Sequence, residues 1–154
     1  MRVIGDGGHA AVVREIIEAC GAKIGIVVAI GDNKIRKRET LAHPGAYVCL
    51  IHPKAIVSPS AIIGAGSVVM AGAIVGANAY IGKHCIVNHG ATVDHHCVLG
   101  DYVHIAPGAH LCGGVQVGEG TLVGVGVAIA PSAKIPAWSF CKARRLEIES
   151  LASR

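Results

Sequence analysis

From Val57 onward an aliphatic residue returns at every sixth position: Val57, Ile63, Val69, Val75, Ile81, Val87, Val93, Leu99, Ile105, Leu111, Val117, Val123, Ile129 and Ile135. Two places before each stands a small or β-branched side chain, from Ala55, Ala61 and Ser67 through Cys85, Ala91 and Cys97 to Val127 and Ala133. Glycine often follows the aliphatic, as at Gly64, Gly76, Gly82, Gly100, Gly118 and Gly124. A period of six fits neither an α-helix nor an alternating strand. It predicts a parallel β-helix of hexapeptide repeats, in which three short strands make one triangular coil. Each strand sends one aliphatic side chain to the prism axis, and the small residue two places earlier fits beside it in a narrow lumen. Glycine or asparagine relieves the backbone at the corners. The aliphatic series makes somewhat under five coils and, at ~4.8 Å per coil, a prism on the order of 22 Å long.

Residues 1–53 carry another pattern. Arg2-Val3-Ile4 predicts a strand running into Gly5-Asp6-Gly7-Gly8-His9, after which Val12, Val13, Ile16, Ile17 and Cys20 keep helical spacing until Gly21. Ile24 to Ile30 predicts a second strand, Gly31-Asp32-Asn33 a turn and helix cap, Lys34 to Leu41 a basic helix, and Tyr47 to Ile51 a last strand. The expected organisation is a small, shortened α/β (Rossmann-like) subdomain over 1–53, the β-helix over 54–138 and a basic helical tail over 139–154. A glycine loop between strand and helix holds an anion through free backbone N–H groups, which makes Gly7 and Gly8 candidates for a phosphate-bearing substrate. The same residues also suit a tight turn with no ligand, because Gly5-x-Gly7-Gly8 lacks the third spaced glycine of a dinucleotide fingerprint.

Composition narrows the class. Only 3% of the 154 residues are aromatic while 52% are hydrophobic, so the core is built from slim side chains and gains from oligomerisation. The formal net charge of +4 is modest and its basic residues are not interleaved with stacking aromatics, which excludes nucleic acid as the expected partner and suits a small anionic ligand. Ala55 to Gly82 has no charged residue, yet its proline, asparagine and glycines keep the six-residue beat, so no membrane insertion is expected. The first residues meet glycine too soon for a signal peptide, and the six cysteines show neither disulfide nor zinc spacing. A cytoplasmic location is the expectation.

The glycine loop with its histidine, His52-Pro53, and hexads carrying Asn88-His89-Gly90-Ala91-Thr92-Val93-Asp94-His95-His96-Cys97 and Asp101-Tyr102-Val103-His104-Ile105 together resemble one family. It is the bacterial sugar acetyltransferases of the sialic acid O-acetyltransferase and bacillosamine N-acetyltransferase type. The resemblance implies a left-handed β-helix, a homotrimer with acetyl-CoA between neighbouring prisms, and transfer of acetyl to an amine or hydroxyl of a sugar. A nucleotide-linked amino sugar is the acceptor it points to, with O-acetylation of sialic acid or another non-nucleotide acceptor as the alternative. Family members usually carry a further strand, helix and loop where only Gly21 to Gly25 remain here, and that portion helps hold a nucleobase.

The resemblance makes His95 the catalytic base. Independently, direct attack by an amine or hydroxyl on a thioester needs a base that titrates near neutral pH, which imidazole supplies. His95 lies two places beyond the inward Val93 and so points outward from a corner. Where the family places a carboxylate after this histidine, the chain has His96; Asp94 is the other candidate to orient the ring. By the same resemblance Asn88, His104 and His9 contact the acceptor, Gly7 and Gly8 approach nucleotide phosphates, and the Gly113 N–H meets the thioester carbonyl. Gly114, Gly124 and Gly126 leave the wall bare for a pantetheine arm, or simply turn corners. Lys142 and Arg144 reach coenzyme phosphates or form a solvated basic face. A zinc enzyme on the same prism is the first rival, but no two histidines of the repeat are eighteen residues apart to stack in adjacent coils, and no metal is expected. A scaffold such as an ice-binding face is the second, and the repeat holds only Thr92 and Thr121 for it.

Overall fold

The computed structural model describes residues 1–142. Strand β1 (Arg2–Ile4) pairs in parallel with β2 (Ile26–Val28), and helix α1 (Gly8–Cys20) crosses between them. The helix buries Val13 and Ile16, as the spacing predicts, and Ala10 besides, leaves Cys20 exposed, and ends where Gly21 turns left-handed at φ 66°. Helix α2 (Asn33–Ala42) follows, capped by Asp32, whose carboxylate accepts the Ile35 N–H at 2.8 Å.

Sixteen two-residue strands then wind a triangular prism, the left-handed parallel β-helix expected. Face I holds six: Leu50–Ile51, Val68–Val69, Ile86–Val87, His104–Ile105, Leu122–Val123 and Phe140–Cys141. Face II holds Ile56–Val57, Ile74–Val75, Thr92–Val93, His110–Leu111 and Ala128–Ile129, and face III holds Ile62–Ile63, Tyr80–Ile81, Val98–Leu99, Gln116–Val117 and Lys134–Ile135. Register is eighteen residues throughout, as in Thr92 against His110. The second residue of each strand points inward, and from Val69 to Val123 these side chains are almost wholly buried along with the small ones two places earlier.

Two expected boundaries move. The strand expected over Tyr47 to Ile51 is divided: Tyr47 bridges Ile26 in the subdomain, whereas Leu50–Ile51 pairs with Val68–Val69 and is the first strand of the prism. The tail expected from residue 139 begins instead with the last prism strand, since Phe140–Cys141 pairs with Leu122–Val123. In both places the six-residue beat continues through Ile51 and Cys141, and a neighbouring coil supplies the hydrogen bonds a parallel edge needs. The basic helical tail expected there, with Arg144, lies outside the described residues.

The corners use glycine in two ways. Positive φ recurs at every sixth residue from Gly66 to Trp138, three places after the aliphatic, and Asn78, His84, His96, Tyr102, Ser132 and Trp138 adopt it without being glycine. The glycines directly after the aliphatic have another reason: Gly64, Gly82, Gly100 and Gly118 stack at one corner, where an added Cβ would lie within 2.7 Å of the next coil's backbone.

The subdomain packs on the lower part of face I, where Leu50, Val68, Met70 and Ile86 join Ala10, Val13, Ile16, Val27 and Ala29 in a second core. Its fastening is Arg36, 1% exposed, which donates to the carbonyls of Ile30, Gly31, His84 and Tyr102 and to Asn33 Oδ1 at 2.7–3.1 Å. Meanwhile Ile35 and Leu41 face outward. Helix α2 therefore buries a guanidinium and exposes its aliphatics, the reverse of an amphipathic helix.

Candidate active site

Two clusters emerge, at different edges of the prism. The first stands on the corner between faces II and III. His95 leaves the strand Thr92–Val93 two residues after its inward Val93, and its side chain is 59% exposed. Asp94 Oδ1 accepts the backbone N–H of His95 at 2.7 Å, while Oδ2 stays 4.0 Å from Nε2, beyond hydrogen-bond length. The ring's partner is His96, with the two Nδ1 atoms 3.1 Å apart. One coil above lies Gly113, where an added Cβ would meet His95 Cε1 at 2.4 Å and Nε2 at 2.6 Å. Glycine at 113 therefore makes room for the imidazole. The Gly113 N–H has no acceptor among the described residues, while the adjacent Gly114 N–H donates to the His95 carbonyl at 2.9 Å.

The second cluster lies on face I and the corner it shares with face II. His104 Nδ1 donates to the Gly31 carbonyl at 3.3 Å, and its Nε2 accepts from Asn88 Nδ2 at 3.1 Å. The Asn88 oxygen in turn accepts from the His89 backbone N–H at 2.9 Å and its Nδ1 at 3.0 Å. Burial foremost, then the Arg36 guanidinium and His9, pushes His104 down to about 4; burial, Arg36 and His89 do the same to His9. Both rings are neutral near pH 7, and the Gly31 carbonyl holds His104 as its Nδ1–H tautomer. His9 Nε2 is buried without a partner, at a cleft of about 380 Å³ lined by Gly5, Asp6, Gly7, Gly8, Ala29 and Ile30.

The structure thus joins His9, Asn88 and His104, and separately joins Asp94, His95, His96, Gly113 and Gly114. It does not join the two sets within one protomer, since the whole width of face II separates them. Gly7 and Gly8 open helix α1 at the cleft. Gly124 and Gly126 stand on the second cluster's corner, two coils above Asn88; at 124 a Cβ would strike the Cys141 carbonyl at 2.8 Å, and at 126 φ is 65°. Lys142 follows one coil higher, its Nζ 5.6 Å from the Phe140 ring centre. Sequence reasoning missed Arg36 and Gly31, which hold the second cluster in place. An arginine in a basic helix looks solvated, and a carbonyl has no sequence signature.

Residues 96–131 match the family model described as bacterial transferase hexapeptide (six repeats). No curated protein sequence matches. Among solved structures, the acetyltransferase domain of PglB from Neisseria gonorrhoeae in complex with acetyl coenzyme A is 38% identical, with a TM-score of 0.85 over 90% of this chain and 85% of that one. PerB from Caulobacter crescentus, in complex with CoA and GDP-perosamine, is 38% identical with a TM-score of 0.83 over 90% of this chain and 83% of its own. WeeI from Acinetobacter baumannii shares the fold at 19% identity and a TM-score of 0.65.

Proposed function

The chain belongs to the hexapeptide-repeat sugar acetyltransferases that include the PglB acetyltransferase domain and PerB, and from that premise we propose that it moves acetyl from acetyl-CoA to the amine of a nucleotide-linked sugar. The observation that carries the reading is the exposed His95 ring lying against Gly113, whose N–H has no acceptor among the described residues. His95 takes the proton of the acceptor amine as nitrogen attacks the thioester carbon. The Gly113 N–H stabilises the oxyanion. Collapse breaks the C–S bond, and the same proton passes to the leaving thiolate.

His9, Asn88 and His104 hold the sugar, with Gly7 and Gly8 toward its phosphates. Gly114, Gly124 and Gly126 clear the wall for the pantetheine arm, and Lys142 meets coenzyme phosphate. The acceptor-binding subdomain runs to residue 49, the prism from Leu50 to Cys141. A homotrimer with shared sites is the assembly proposed, because the sugar-binding and base clusters lie on different corners of one protomer. Exposed Ile56 and Ile74 on face II and Ile62, Tyr80 and Val98 on face III offer it apolar surface. Among the described residues no helix is long and apolar enough to cross a membrane. The cytoplasm, where acetyl-CoA is made available, is the proposed place of work.

The test is release of free CoA thiol by purified protein given acetyl-CoA and, in turn, UDP- and GDP-linked 4-amino sugars, sialic acid and simple amines. Turnover with a nucleotide-linked amino sugar is expected, and His95→Ala is expected to lower it by about 10²–10⁴-fold. Thiol release with none of these acceptors, or full turnover by His95→Ala, overturns the reading.

A further inference from the structure

A base is useful only if the nitrogen facing the substrate is bare, and the groups around His95 decide that. His95 Nδ1 is 3.1 Å from His96 Nδ1, and His96 Nε2 is 3.3 Å from the side-chain amide of Asn78. Asn78 sits one coil below His96 at the same corner, both in the left-handed region at φ 56° and 57°. The backbone N–H of Asn78 is held by Ser60 Oγ at 3.0 Å. Asp94, committed to the His95 backbone, leaves the ring to His96.

Two neutral imidazoles that meet through their Nδ1 atoms share one proton between those atoms, so fixing one tautomer fixes the other. For His95 to offer a bare Nε2, its Nδ1–H must donate to His96 Nδ1. His96 then carries its own proton on Nε2, which needs an acceptor. Among the described residues the Asn78 carboxamide is the group in contact with His96 Nε2, and its oxygen can fill that place. With the amide nitrogen there instead, as at the 3.3 Å contact, His96 Nε2 accepts, every bond reverses and the proton lands on His95 Nε2. A half-turn of the amide about its bond to Cβ exchanges the two without moving either ring.

We propose that Asn78 is a positioning residue, whose carboxamide oxygen, accepting from His96 Nε2–H, holds His95 as the Nδ1–H tautomer with Nε2 bare beside Gly113. The relay rests on the reading of His95 as the base. It does for this chain, with neutral groups, what an anionic partner does for a histidine elsewhere. The proton accounting closes: Nε2 receives the amine proton and returns it to the thiolate, while the Nδ1, His96 and Asn78 protons stay in place.

The test compares the unaltered chain with Asn78→Asp, which offers only acceptor oxygens, and Asn78→Gly, which keeps the left-handed turn and removes the amide. Two-bond proton–nitrogen spectra of protein labelled with ¹⁵N-histidine read the tautomer, His95→Gln and His96→Gln assigning the signals. The unaltered chain and Asn78→Asp are both expected to hold His95 in the Nδ1–H form, and Asn78→Gly is expected to lose it. In thiol release, kcat of Asn78→Gly falls about tenfold with KM for acetyl-CoA unchanged, and Asn78→Asp restores it. An identical His95 tautomer in all three proteins, or an Nε2–H form in Asn78→Asp, overturns the relay. That outcome with an inactive His95→Ala sinks the relay alone, whereas an active His95→Ala sinks the base assignment whatever the spectra show.

Discussion

His9 and His104 are weak bases in the folded chain, each at about 4, whereas an unfolded histidine titrates near 6.5. Between those values the unfolded chain binds more protons than the folded one, so stability rises with pH through that window and is lost as pH falls from about 6.5 to 4. Two such groups are worth a few kcal/mol together. Thermal melts are therefore expected to hold steady above pH 7 and drop steeply below 6, and His9→Gln should flatten that drop. Gly113 offers a second test, because its Cβ would fall 2.4 Å from His95 Cε1. Gly113→Ala is expected to swing an exposed ring aside, cutting turnover by about tenfold or more with little change in melting temperature. At this scale His95 was legible from its offset to Val93 and from the resemblance. The orphaned Nε2 of His9 and the His96–Asn78 contact were not, since they join residues brought together only by an eighteen-residue stack or by docking across the chain.

Helix α2 carries the junction between subdomain and prism. Arg36 satisfies carbonyls from both, burial lowering its guanidinium to about 10. Arg36→Ala is expected to cost about 3–5 kcal/mol and to loosen the subdomain first, leaving the Ile30, His84 and Tyr102 carbonyls and Asn33 Oδ1 without their donor. Limited proteolysis checks this: cleavage should concentrate before residue 50, with the prism persisting. Arg36→Lys should not rescue it, because one ammonium cannot replace a five-donor fork. The elements were largely legible, including the Asp32 cap and the Gly21 stop. The burial of Arg36 under an outward-facing Ile35 and Leu41 was not, for hydrophobic spacing cannot report a buried polar group whose partners are backbone carbonyls.

Across the whole molecule, face II separates the His95 cluster from the His9, Asn88 and His104 cluster, so the proposed site needs a second copy. Mixing His95→Ala subunits with His104→Ala subunits tests this directly. If one protomer's corner completes its neighbour's site, trimers re-formed from an equal mixture regain activity at about a quarter of all their sites. No recovery, with mixing verified by mass, would mean that each protomer holds its own site. Light scattering should give three times the 15.7 kDa protomer, and Ile74→Asp should lower both that mass and turnover.

The six-residue beat by itself determined the prism, its inward side chains and its coil register, because each hexad meets the same local demand and the next coil repeats it. It also placed His95 on an outward corner. Only the tertiary structure decided where the prism begins and ends, which glycines turn the chain and which merely make room, and that Arg36 rather than an aliphatic fastens the subdomain. Those outcomes depend on hydrogen-bond partners and close approaches between residues eighteen to some seventy positions apart, a coupling that no local pattern of polar and apolar positions encodes.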